Sequence, residues 1–122
     1  MTRFPTFFLS HGGGPWPFME ERREQYAKTA REFSHIPQLL PAKPKAVLVI
    51  TGHWEADQFT VSTSPHPPMV YDYYGFPEHT YHLKYPAPGL PGLAAEVKER
   101  LAQAGIACAE AQEQRKVGVG DG

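Results

Sequence analysis

One cysteine, Cys108, stands alone among 122 residues. A single thiol excludes an internal disulfide and any zinc knuckle built on cysteines, and it fits a reducing, cytoplasmic setting. Charge of one sign is equally scarce: the formal net charge is -1, and no basic run extends over several residues. That removes both the electrostatic footprint of a nucleic-acid binder and a polybasic membrane patch. Long hydrophobic runs are missing too. The apolar patch within MTRFPTFFLSHGGG is too short and too soon interrupted for a signal peptide, and nothing approaches membrane-spanning length. A small molecule is therefore the expected partner.

Several catalytic signatures are absent as well. The run His11-Gly12-Gly13-Gly14 matches the glycine loop that supplies oxyanion donors in esterases, yet no Gly-x-Ser-x-Gly elbow exists to bring a nucleophile. His53-Trp54-Glu55 matches the His-x-Glu of zinc deaminases, but one cysteine cannot build their Pro-Cys-x-x-Cys. A glycine-rich turn between strand and helix could cradle phosphate, but no lysine follows and the spacing fits neither common nucleotide fingerprint.

What is present centres on Lys45 to Glu55, KAVLVITGHWE. Its valine- and isoleucine-rich run, entered through Pro44 and left through Gly52, reads as a strand buried on both faces. His53 waits at its end, at the sheet edge where open parallel sheets bind ligands. Thr6 to Ser10 repeats the design and runs into His11 and the glycine loop. From Phe18 onward MEERREQYAKTAREF predicts a helix with Phe18, Tyr26, Ala30 and Phe33 on one face. Gln58 to Ser64 alternates as a further strand, Leu90 to Gly105 is a helix with Leu93, Ala94, Val97 and Leu101 on one side, and Ile106 to Ala111 is another strand. Between them lies HPPMVYDYYGFPEHTYHLKYPAPG, His66 to Gly89, an aromatic-rich stretch with neither period, best described as an ordered functional loop. With 41% hydrophobic and 20% charged residues, the chain is one domain, and the element order predicts an α/β fold, a mostly parallel sheet flanked by helices.

Neutral imidazoles suit zinc and ferrous iron, and two histidines with a carboxylate form the ligand set of non-haem iron oxygenases. His11 and His53 are the candidates. Glu55 would share the face of His53 if the strand continued, as its hydrogen-bonding partner or as a ligand. The plainer alternative stays open on this motif alone: His53 caps a strand, Glu55 pairs with a cation, and His11 is a loop histidine. His66, His79 and His82 read as hydrogen-bonded spacers of the loop, and His35 as a favourable charge at a helix end.

FLSHGGGP at Phe8 to Pro15, TGHWE at Thr51 to Glu55, and the loop from His66 to Gly89 together resemble the class III extradiol ring-cleavage dioxygenases, in particular their 4,5-DOPA extradiol dioxygenase branch. The resemblance implies that His11 and His53 bind the metal, Fe(2+) or Zn(2+). It also implies a reaction that inserts both atoms of dioxygen into a catechol ring beside its hydroxyls. It implies further an acid/base histidine beyond the chain end, since family members continue past this length. They carry a Gly-x-Asp-His-Gly motif shortly after the position of Arg115, where this chain reads KVGVGDG and has no histidine after His82. Residues 1–114 are thus expected to form the N-terminal part of the catalytic domain, an incomplete version of the family's single domain. Residues 115–122 are expected to be an aberrant or truncated tail. Apolar edges left by missing strands make self-association an expectation. The alternative function is a non-catalytic remnant or a small-molecule or metal-binding module.

Overall fold

The computed structural model describes residues 3–112. Its chain forms two compact units, one joining the chain up to Val47 with Tyr73–Leu83, the other joining Leu48–Asp72 with Lys84 onward. The long aromatic loop is therefore divided between them.

In the first unit Pro15 and Pro17 preset φ for tight turns, and the chain makes 3₁₀ turns at Trp16–Phe18 and Glu20–Arg22 before helix α1, Ala27–His35. The sequence pattern predicts one helix from Phe18 onward, whereas Met19 between the turns is extended, at φ -117° and ψ 111°. The reason is burial. Met19 and Trp16 are the buried hydrophobic residues among those described, and extending the backbone at Met19 turns its thioether inward at the expense of one continuous helix. Trp16 stacks on Tyr26 with ring centroids 4.5 Å apart and lies 6.4 Å from Phe33. Its indole N–H, a donor that burial must satisfy, donates to the carbonyl of His11 at 2.7 Å. Tyr26, Thr29, Phe33 and Ile36 are half-buried at helical spacing, while Ala30, expected on that face, is exposed.

The returning segment adds an aromatic knot. The Tyr73 hydroxyl donates to the carbonyl of Thr80, and its ring meets Phe76 edge-on at 5.3 Å and Tyr81 at 5.2 Å. Thr80 is fully buried, which is tolerable because its hydroxyl donates to the Pro77 carbonyl at 2.7 Å at the head of the 3₁₀ turn Glu78–His82.

The second unit holds the sheet. Strands β1, Thr60–Ser62, and β2, Ala109–Ala111, pair in parallel with Thr60 opposite Ala109 and Ser62 opposite Ala111. A parallel pair needs a crossover, and helix α2, Pro91–Gln103, lies between the strands in the chain and packs on β1. Pro91 occupies the first helical position, where its missing N–H costs nothing. Leu93, Ala94, Val97 and Leu101 are half-buried, as their spacing predicts. The helix ends with Gly105 at φ 77°. There the Gly105 N–H reaches the Ala102 carbonyl at 3.0 Å and the Ile106 N–H reaches Leu101 at 2.9 Å, the two bonds of a Schellman ending.

The α/β class and its parallel pairing thus match the sequence expectation, but two expected strands do not form. Thr6–Ser10 and Ala46–Ile50 carry no regular structure and are exposed, Ile50 at 90%. A continuous apolar run signals that a segment favours burial without saying against what, and it has no period that commits it to a ladder. Among the described residues only β1 and β2 exchange ladder bonds, so neither run has a neighbour to pair with. The expected tail, 115–122, lies outside the described residues.

Candidate metal centre

His53 sits in the turn that follows the exposed apolar run, where glycine and polar residues let the chain reverse. Its backbone N–H donates to Thr51 Oγ1 at 3.0 Å, so the threonine two residues earlier sets the local turn. The imidazole is 80% exposed, and its Nδ1 lies 2.6 Å from Oδ2 of Asp72, whose side chain is 34% exposed. A carboxylate can only accept, so Nδ1 carries the shared proton and Nε2 of a neutral ring keeps its lone pair. This is the arrangement in which metal-binding histidines are commonly held: one nitrogen bonded to a carboxylate, the other turned to the ion.

Glu55, the carboxylate that strand periodicity would place beside His53, is exposed, and Asp72 holds the ring instead. The strand does not continue through Glu55, so its two-residue spacing loses its meaning. Asp72 went unnoticed in the sequence because it lies in the aromatic loop, far along the chain from His53. The one signal that could have found it is a lone acid in YDYY, a run otherwise given over to aromatic rings.

His11 belongs to the first unit, His53 to the second. His11 is exposed and anchored through its own carbonyl by the Trp16 indole. It lines an open cavity of about 1010 Å³ whose walls include Trp16, Met19, Tyr26, Phe33 and His79. Its lining mixes the rings of Trp16, Phe18, Tyr26 and Phe33 with the charged side chains of Glu20, Glu21 and Arg23. His79 donates from Nε2 to the Phe18 carbonyl at 2.5 Å, and His82 Nε2 lies 2.9 Å from Glu78 Oε1 one helical turn away. Both behave as the hydrogen-bonded spacers expected. The backbone N–H of His66 donates to Ser64 Oγ at 3.1 Å, and His35 closes α1 at its C-terminal end.

Among the described residues, no three histidine, cysteine or carboxylate side chains gather into a set that could hold a metal ion. What His53 does offer is one imidazole nitrogen anchored by a carboxylate on a ring that is otherwise exposed, an arrangement that leaves the other nitrogen to a divalent cation. No described helix is long and apolar enough to cross a membrane.

Comparison with known proteins gives this geometry a context. Residues 5–120 match the family model described as the catalytic LigB subunit of aromatic ring-opening dioxygenase. A dioxygenase, tasH, of Hapsidospora irregularis is 44% identical over 98 residues, which cover 75% of this chain and 30% of that protein. The 4,5-DOPA dioxygenase extradiol of Portulaca grandiflora is 38% identical over 112 residues, 90% of this chain and 39% of the relative. Its namesake in Escherichia coli strain K12 is 36% identical over 101 residues, 83% and 35% of the two chains. This chain thus spans well under half the length of each of these relatives. No solved structure matches it. With the family model aligned along nearly its whole length, the chain belongs to the LigB family of aromatic ring-opening dioxygenases.

Proposed function

We propose that this chain forms part of a metal-dependent extradiol dioxygenase that opens the ring of a catechol-type, DOPA-like substrate, with His11 and His53 as ligands of Fe(2+) or Zn(2+). In this reading residues 1–114 make up the N-terminal part of the catalytic domain. The observation that carries it is the family match through residues 5–120, which includes both histidines in their glycine-flanked motifs. Relatives named as 4,5-DOPA dioxygenases support the substrate class.

A bound metal would supply Lewis acidity toward the two neighbouring hydroxyls of a catechol, and Fe(2+), unlike redox-inert Zn(2+), would also supply the redox chemistry that dioxygen needs. The chain's own residues bind and orient. His53 presents Nε2 while Asp72 holds Nδ1. The main chain of His11 is held at its carbonyl by the Trp16 indole N–H, and the rings of Tyr26 and Phe33 in the same cavity can stack on a ring.

The test is direct. The intact protein of which this chain forms part, charged with Fe(2+) without oxygen and then given DOPA and air, is expected to consume oxygen and form a yellow ring-opened product. His11→Ala and His53→Ala are each expected to reduce that product to background and to abolish saturable metal binding. Saturable binding without any product would favour the metal-binding module. Binding unchanged in the double variant would remove both histidines from the site.

A further inference from the structure

The structure assigns Asp72 a positioning role: it locks His53 in the Nδ1–H tautomer and so leaves Nε2 as the nitrogen available to a divalent cation. This rests on the proposed reading of His53 as a metal ligand, but it concerns a residue that neither the glycine-flanked motifs nor the spacing around His53 singles out.

Three observations carry it. The Nδ1 to Oδ2 distance of 2.6 Å is shorter than an ordinary N–H···O bond, and the acceptor is a carboxylate. The ring is also held from its backbone, because the His53 N–H donates to Thr51 Oγ1 at 3.0 Å. Main chain and ring are thus both constrained, and Nε2 is the remaining free position on the imidazole. Third, the pair contributes little as a structural element. With His53 at 80% and Asp72 at 34% exposure, water competes for both groups, and exposed pairs of this kind stabilise a fold only weakly. What the contact does supply is direction. A carboxylate on one imidazole nitrogen fixes the tautomer, orients the ring and raises the basicity of the other nitrogen, and losing such a partner commonly weakens metal binding about 10–100-fold.

The experiment uses the whole chain and reads two independent signals. In ¹H–¹⁵N correlation spectra of the histidine side chains, recorded without metal at a pH where the ring is neutral, wild-type His53 is expected as the Nδ1–H tautomer. Asp72→Ala is expected to revert to the Nε2–H form that free imidazole prefers in water. Asp72→Asn, whose amide oxygen can still accept from Nδ1, is expected to keep the wild-type tautomer. In parallel titrations with Zn(2+), Asp72→Ala is expected to bind about 10–100-fold more weakly than wild type, with Asp72→Asn recovering most of that loss. A merely structural aspartate would not move the tautomer or be rescued by asparagine. An unchanged tautomer in Asp72→Ala, or zinc affinity equal to wild type in that variant, overturns the assignment. If wild type itself binds no zinc while the tautomer still responds to Asp72→Ala, the ligand role of His53 falls and the orienting role of Asp72 stands.

Discussion

Gly14 has a φ of 64°, and a Cβ built there would run into the ring of Phe76. The glycine loop after His11 is thus a packing requirement as well as an opening toward a ligand, because an aromatic edge from the 73–83 segment lies where a side chain would go. Gly13 differs: a Cβ there meets nothing within 4 Å. Gly14→Ala is expected to lower the unfolding free energy by about 1–3 kcal/mol, from the left-handed backbone and the overlap together. Gly13→Ala should stay within about 1 kcal/mol of wild type. Urea denaturation of the two variants side by side checks this, and equal losses would show that the Phe76 contact does not constrain the loop. The motif HGGG was legible as a place of close approach. What approaches was not, because Phe76 lies far along the chain and local spacing does not encode that encounter.

Among the elements, α2 was read most fully. Pro91 at its start, Gly105 past its end and the half-buried side between them all follow from local chemistry that acts within a few residues. Its two ends differ in strength from its exposed face, and that difference is measurable. Gly105→Ala places a Cβ at φ 77° and disturbs both bonds of the helix ending, for an expected loss of about 1–2 kcal/mol. Arg100→Ala removes a bond to Glu96 at 2.9 Å, but with Arg100 at 73% exposure the cost should stay near or below about 0.5 kcal/mol. Thermal or chemical unfolding that ranks them in the opposite order would contradict this account of the helix. The first helix was legible only in its second half, since burial of Met19 overrides good helix formers around it. The two apolar runs before His11 and His53 have the composition of strands, yet pairing is a property of neighbours rather than of a segment.

For the whole molecule, the apolar side chains left on the surface matter most. Phe8, Leu48, Val49 and Ile50 are exposed, and contiguous apolar residues in water promote association. The chain is expected to self-associate in a concentration-dependent way, and replacing Val49 and Ile50 with lysine should shift it toward monomer. Light scattering after size separation tests this; a stable wild-type monomer across concentrations would rule it out. By itself the sequence determined the α/β class, the ends of α2, and the pair of glycine-flanked histidines, because each depends on chemistry within a short stretch or on a motif. Only the tertiary structure decided that Asp72 rather than Glu55 holds His53, that Phe76 fills the space over Gly14, and that two apolar runs stay unpaired. Those outcomes depend on which distant segments the folded chain brings together, and hydrogen bonds and ring contacts between them form only once the chain has closed.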